Sequence, residues 1–381
     1  MSQNIVFLYL NTGGGHKAPA KALAAAFERL HPNESSVHLL NGFSERMRMC
    51  RFFFEDGYQL TSNFFEPAYV LFYRLTEHPC MIRFGNYFVQ VHGVTHLARF
   101  IRRNRITKVV CLHEALILNA RRAIDSVDPS IPLITILTDP FTAHGIWFYQ
   151  KNMELVVFSE KLRKEAVAKY GFDPARVHAF PFILNEVYER RYTEGEIRSA
   201  RARLGIPDGR KVLLVAGGGE GLKGSDRLVA NFVRRGSDEI LIVVCGRNEI
   251  LKRLIERIVE RSGAANVMVL GFVSFMPDLL NIADCVITKG GASTVMEVLA
   301  VGKPVIFSTF IRGQELGNVL YAVHGGAGWL VKKPSMILDK AFELINDPVA
   351  RADVARNIDR MGIRNGLGDV ADFIWRFGSD Q

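Results

Sequence analysis

Four short stretches of this 381-residue chain put chemically capable groups at the ends of apolar runs. Gly13-Gly14-Gly15-His16 separates the apolar run Ile5–Leu10 from an alanine-rich stretch, Ala18–Leu30. Glycines let a backbone approach a ligand closely, and a helix starting there offers free N–H groups with partial positive charge. His16 at its mouth can accept or deliver a proton near neutral pH. The bland alternative is a tight turn with a structural histidine. Gly290-Gly291-Ala292-Ser293-Thr294 repeats the arrangement later in the chain. Ser293 and Thr294 can cap the following helix and also bond phosphate oxygens. Glu297 falls one helical turn after Ser293, where a carboxylate can accept hydrogen bonds from the two hydroxyls of a ribose. A Ser/Thr-x-x-Glu capping box would need no ligand at all.

Gly313-Gln314-Glu315 with Asn318 groups donors and acceptors suited to sugar hydroxyls, or else caps a helix. Thr138-Asp139 closes the run Leu133–Leu137 and is followed by His144 and Trp147. That reads as a general base with an aromatic platform, or as an ordinary strand-end turn. No GxxxxGK[ST] occurs, and GxGxxG is missing after the first apolar run, which argues against a P-loop protein and a dehydrogenase.

The elements that must position these residues alternate. Short strands are expected at Ile5–Leu10, Lys108–Leu112, Leu133–Leu137 and Leu155–Phe158, with helices at Ala18–Leu30, Ala115–Ile124 and Ser159–Tyr170. Pro19 fits a first helical turn. The rhythm breaks near Pro181, passes through a charged stretch, Asn185–Leu204, and restarts near Lys211. Further strands are expected at Val212–Ala216, Ile240–Val244, Val267–Leu270, Cys285–Thr288 and Pro304–Phe307, with a helix over Ser293–Ala300. This pattern predicts an α/β protein of two doubly wound, Rossmann-like domains facing a cleft, with glycine loops at strand C-terminal ends. The expected division is 1–183, 184–360 and a C-terminal helix over 361–381 that packs back on the first domain.

Composition bounds the partners. A net charge of +9 favours an anionic partner: nucleotide phosphates, nucleic acid or an acidic lipid surface. The absence of a block of like charges lowers the odds of a nucleic-acid tail. Five dispersed cysteines without CxxC spacing make a disulfide framework or zinc site unexpected and fit a reducing cytoplasm. No apolar run approaches the roughly 18–20 residues that span a bilayer, so any membrane contact is expected to be peripheral. Residues 43–105 break the alternation. They carry Phe52-Phe53-Phe54, Phe64-Phe65 and Tyr69–Tyr73, with Arg83, Arg99, Arg102, Arg103, Arg105 and Lys108 in a span free of acids from Glu77 to Glu114. Apolar and basic groups together suggest an interfacial, lipid-contacting insertion; a helical layer with solvated arginines is the alternative.

The longest coherent stretch runs from Gly271-Phe272-Val273 through Asp284-Cys285 and Lys289–Glu297 to Gly302-Lys303-Pro304 and Gly313–Asn318. With Thr12–His16, Leu137–Asp139, His144, Trp147-Phe148, Leu213–Gly221 and Val244–Asn248, it resembles the diacylglycerol glycosyltransferases: monogalactosyldiacylglycerol synthases and processive diacylglycerol glucosyltransferases. The resemblance implies a GT-B fold and an inverting hexosyl transfer from a UDP-sugar, UDP-glucose or UDP-galactose, to a diacylglycerol-type lipid. It implies no metal or other cofactor, no nucleic acid, and action at an anionic surface on the inner face of the cell membrane. Carried onto this chain, Glu297 holds the ribose, and Phe272 and Val273 frame the uracil. Gly218, Gly219, Ser293 and Thr294 surround the diphosphate, with Gly291 and Ala292 in the same loop and Arg247 adding charge. Gln314, Glu315 and Asn318 touch the sugar or ribose. Gly14 and Gly15 are expected among the glycines that bind the UDP-sugar, His16 lies at the acceptor or anionic-lipid site, and Asp139 is the first candidate for the base, His16 the second. The alternatives are a soluble UDP-sugar glycosyltransferase or epimerase, or a non-catalytic nucleotide-sugar-binding protein.

Overall fold

A computed structural model describes residues 3–11, 14–45, 47–52, 55, 75–76 and 93–378. The chain divides into two compact units. One comprises Met1–Glu186, Ile311–Gln314 and Asn365–Gln381; the other comprises Val187–Phe310 and Glu315–Arg364.

The first unit is built on a parallel sheet of β1 (Gln3–Tyr9), β2 (Ser35–Asn41), β3 (Lys108–Cys111), β4 (Leu133–Ile136), β5 (Glu154–Val157) and β6 (Val177–Ala179). Its order is β2-β1-β3-β4-β5-β6. Three of the four inner strands, β3, β4 and β5, are buried along their whole length, which is why they read as short apolar runs. Around the sheet lie α1 (Gly14–Leu30), α2 (Ile117–Asp125) and α3 (Glu160–Ala168), with short helical pieces at Arg48–Arg51 and 93–103. The α1 helix begins at Gly14, so Pro19 sits inside it and not in its first turn. The missing N–H of Pro19 removes one helical hydrogen bond, to the Gly15 carbonyl.

The second unit repeats the plan with β7 (Val212–Ala216), β8 (Ile240–Val244), β9 (Val267–Leu270), β10 (Cys285–Lys289), β11 (Val305–Thr309) and β12 (Gly328–Leu330), all parallel, in the order β12-β11-β10-β7-β8-β9. Its helices are α4 (Glu194–Arg203), α5 (Ser225–Arg235), α6 (Glu249–Ser262), α7 (Met276–Ile282), α8 (Ala292–Ala300), α9 (Leu316–His324), α10 (Pro334–Asn346) and α11 (Pro348–Met361). Thr193 and Glu196 form a reciprocal capping box that starts α4. The chain then returns to the first unit as α12 (Leu367–Arg376).

The strands the sequence pattern missed, β2, β6 and β12, all lie at sheet edges. Edge strands bury only part of their surface, so β2 mixes polar and apolar residues and the other two span three residues each. Both sheets reverse direction at one point: β1 and β3 are neighbours in the first, β7 and β10 in the second. Outside the carboxyl ends of such a strand pair lies the crevice in which open α/β sheets bind ligands.

Lys108 does not belong with the exposed basic residues. It is buried in β3, and its ammonium donates to the Gln3 side chain at 2.9 Å and to the last-turn carbonyls of α12, Ile374 at 2.5 Å and Trp375 at 3.1 Å. Arg99, Arg102, Arg103 and Arg105 are exposed, as are Met49, Phe52 and Leu75. The remaining aromatics of the insertion, Phe53, Phe54, Phe64, Phe65 and Tyr69–Tyr73, and Arg83 lie outside the described residues.

Candidate active site

Glycines stand at both switch points, Gly14 and Gly15 opening α1 in the first unit. In the second unit, the loop after β7 is Gly217–Gly219 and the loop after β10 is Gly290–Gly291. The Arg247 backbone N–H donates to the Gly219 carbonyl at 2.7 Å, joining the β7 and β8 loops. Gly246 makes this possible: its φ is +61°, and a Cβ there would overlap the Gly219 carbonyl oxygen. The Arg247 guanidinium lies 4.7 Å from the centre of the Phe272 ring, which is 62% exposed. An exposed ring backed by a cation is a platform for a planar base. Val273 beside it is half-buried.

Gly291 precedes α8 as its N-cap, and no side chain caps the helix. Ser293 and Thr294 therefore stand inside the first turn and neither caps it, and the Thr294–Glu297 capping box does not form. The first turn contains no acid, so an anion at its backbone N–H groups meets no like charge from the helix. Glu297 follows one turn later, half-buried. Burial raises its pKa to about 7, against the opposing pull of a hydrogen bond from Tyr188. Glu315 and Asn318 point inward. Glu315 is buried and pairs with Lys289 at 2.9 Å, while Asn318 Nδ2 donates to the Gly290 carbonyl at 2.9 Å. They brace the loop from behind. Gln314 groups with the first unit.

In the first unit, His16 lies in the first turn of α1 and His113 just beyond β3. Their rings are 4.4 Å apart, centre to centre. His16 Nδ1 is 2.7 Å from the Leu112 carbonyl and 3.0 Å from the Thr138 hydroxyl. A carbonyl only accepts, so Nδ1 carries the proton and Nε2 keeps its lone pair. Burial, followed by His113, holds the His16 pKa at about 4, with Glu114 and the Leu112 carbonyl pulling it upward. Burial lowers His113 further, to about 3, with Glu55 acting in the opposite sense. Both imidazoles are neutral at physiological pH. Asp139 follows Thr138 at the carboxyl end of β4 and is half-buried. Trp147 is not an open platform: it is 1% exposed and lies parallel to His16 at 6.4 Å, as core. His144 is likewise occupied, accepting from the Ile146 N–H at 3.2 Å.

Sequence reasoning passed over His113, Glu114, Lys289, Tyr188 and Glu55. Glu55 is buried, and its carboxylate accepts from the Asn11 N–H at 2.8 Å, the Asn41 side chain at 2.8 Å and Arg51 at 3.1 Å. It pins the strand end that leads into the first glycine loop. Its partners are 44, 14 and 4 residues away, so no local motif announces it. Lys289 had a signal in its place at the end of an apolar strand, directly before Gly290.

Two doubly wound sheets, each with a glycine loop at its switch point, are the fold of the GT-B glycosyltransferases. The fold match is direct: an Anabaena protein, HepE, solved with UDP-glucose superposes with a TM-score of 0.60 over 99% of this chain and 100% of that one, at 15% identity. The sequence pattern of the monogalactosyldiacylglycerol synthases matches residues 16–181, and that of the group 1 glycosyl transferases matches residues 196–361. A probable monogalactosyldiacylglycerol synthase 2 from Oryza sativa subsp. indica is 27% identical over 353 residues, covering 87% of this chain and 71% of its own. A processive diacylglycerol beta-glucosyltransferase from Bacillus licheniformis is 26% identical over 366 residues, covering 96% and 92%. Along most of its length the chain is similar to the diacylglycerol glycosyltransferases.

Proposed function

We propose that the protein transfers a hexose from a UDP-sugar to diacylglycerol or a related lipid acceptor at a membrane surface, with inversion at the anomeric carbon. One observation carries the donor half: at the β7/β10 switch point an uncapped helix N-terminus, two glycine loops, and a carboxyl one turn along α8 occur together. Backbone N–H groups and the Ser293 and Thr294 hydroxyls receive the diphosphate, and the helix end stabilises the charge that builds on it as the glycosidic bond breaks. Glu297 accepts from the ribose hydroxyls, and Phe272, with Val273 beside it, carries the uracil. Arg247 adds positive charge, and in this reading no metal ion is needed for the departure of UDP.

The acceptor hydroxyl has a high pKa and must lose its proton as it attacks. Asp139 is the first candidate to take it, at the carboxyl end of β4; His16 is the second, with Nε2 free to accept. The acceptor reaches the enzyme from a lipid surface. The exposed Arg99, Arg102, Arg103 and Arg105 and the exposed Met49 and Phe52 support docking on anionic lipid at the inner face of the cell membrane. No helix among the described residues is long and apolar enough to cross a membrane.

A radiolabelled transfer assay tests the reading. UDP-glucose, UDP-galactose and UDP-N-acetylglucosamine are each paired with diacylglycerol, ceramide and a glycosylated lipid. Labelled glycolipid is expected from at least one hexose donor with diacylglycerol. UDP-sugar that is epimerised or left intact in every lipid mixture sinks it. Sedimentation with vesicles is expected to rise with anionic lipid and fall with salt; indifference to both rejects the electrostatic docking.

A further inference from the structure

His16, His113 and Glu114, all in the first unit, put three metal-ligating atoms within 4.8 Å of one another. The arrangement around them is unbalanced. His113 Nδ1 accepts from the Ala115 N–H at 3.2 Å, so this nitrogen carries a lone pair and no proton. Glu114 Oε2 lies 3.5 Å from the same nitrogen. That oxygen is buried and has no hydrogen-bond donor. Two lone-pair atoms thus face each other, one relieved only by the long Ala115 N–H contact and the other unpartnered among the described residues, at a cost that an ion taking the place of that contact would remove. His16 adds the third lone pair. Its Nδ1–H is committed to the Leu112 carbonyl at 2.7 Å, so Nε2 is the atom left over. A ring N–H held by a backbone carbonyl is the support that metal-bound histidines ordinarily have.

We infer that His16, His113 and Glu114 bind one transition-metal dication of the zinc class, and that the bound ion withdraws His16 from the acceptor site. Two imidazoles and one carboxylate suit zinc, which fills three protein positions and leaves a fourth open. Bonds of about 2.1 Å in a tetrahedron hold ligand atoms about 3.4 Å apart, so the three must draw together by side-chain rotation. The backbone already supplies the rest: His16 stands in the first turn of α1, and His113 and Glu114 directly follow β3, the strand paired with β1. An ion on Nε2 takes the lone pair that His16 would offer an acceptor hydroxyl. Zinc is therefore an inhibitor of transfer, not its cofactor.

Calorimetric titration of the full chain with ZnCl2 tests the site without any turnover. One ion per chain is expected, and Co2+ in its place should give the intense visible bands of a four-coordinate site. Glu114→Gln keeps the size of a half-buried side chain and should weaken binding about tenfold or more; His113→Ala should do the same. Wild-type protein that binds no stoichiometric zinc overturns the inference, as does unchanged affinity in both variants. In the transfer assay, the zinc concentration that halves each variant's own zinc-free rate should rise in step with its Kd. Transfer that is indifferent to saturating zinc, or accelerated by it, overturns the inhibitory role. That second arm rests on the proposed transferase activity. Should that activity fail, the calorimetry still decides the site.

Discussion

Glu297 meets two opposing demands. Burial lifts its pKa to about 7, so in the ligand-free protein it is half-ionised near neutrality. A ribose diol donates two strong hydrogen bonds to the ionised form and only weaker ones to the acid. UDP affinity should therefore be full above about pH 7 and fall by about tenfold per unit below it, once the carboxyl is protonated. Calorimetry across pH checks this, and Glu297→Gln should flatten the profile and weaken UDP about tenfold or more, as expected for the loss of charged hydrogen bonds. Stability runs the other way. The folded pKa lies above the ordinary 4.5, so the stabilising contribution is complete below pH 4.5 and is lost as pH rises through about 7. Glu297→Gln should raise Tm at pH 8 and leave it little changed at pH 4. A variant that lowers Tm at pH 8 would show that the carboxyl is structural. At the same scale, Asp139→Asn should cut turnover by about 10²–10⁴-fold with UDP affinity intact. If His16→Ala costs more than Asp139→Asn, the two candidates exchange roles.

At the scale of elements, the donor loops depend on close approach. A Cβ on Gly290 would come within 2.9 Å of the Val319 side chain, 3.0 Å of Phe310 Cβ and 3.1 Å of Glu315 Cβ. Gly290→Ala must push α9 away from the loop it braces, at a cost of about 1–3 kcal/mol. Weakened UDP binding and a lower Tm are expected together, because Asn318 Nδ2 holds the Gly290 carbonyl and moves with α9. Unchanged UDP affinity in that variant would detach the bracing from the site. The alternation of strand and helix was legible because inner parallel strands are apolar on both faces. The start of α1 was not, since Gly14–Lys17 has little intrinsic helix preference and only packing against the sheet extends the helix to Gly14. The failed Thr294–Glu297 cap has a similar cause. Gly291 became the N-cap, so the hydroxyl residues fell one turn too deep to serve.

At the scale of the whole molecule, α12 closes the first unit from the far end of the sequence. Trp375 stacks on His31 at 3.7 Å, and Phe373 lies 5.4 Å from Phe180 and 4.4 Å from His178, ring centre to ring centre. Lys108 binds the last carbonyls of α12 from inside the sheet, and burial lowers its pKa to about 8. Removing residues 365–381 should expose this face and loosen β1 and β3. The second unit, to which α12 does not belong, should keep its UDP affinity. Hydrogen exchange that speeds up in the first sheet only, with unchanged UDP titration, is the expected outcome; equal loss in both sheets would refute it. Lys108→Met takes the ammonium from the buried Ile374 carbonyl, while the Trp375 carbonyl keeps the Gln3 side-chain amide at 3.0 Å, and should lower Tm measurably, since an unpaired buried group costs about 1–3 kcal/mol.

The sequence by itself determined the α/β class, the inner strands, the glycine turns and the family resemblance, because apolar runs, glycines and motif order are local properties of the chain. The donor residues proposed here, Gly219, Ser293 and Glu297, were nominated from the same local signal, since each lies in or after the glycine turn that follows a strand. Only the tertiary structure decided which strand ends are neighbours, and with them the switch points that bring His16 beside His113 across 96 residues of sequence. It also moved Lys108 from the basic surface to the core and turned Glu315 and Asn318 inward. Burial and pairing between distant segments depend on where the sheet places each side chain, and no local pattern encodes that placement.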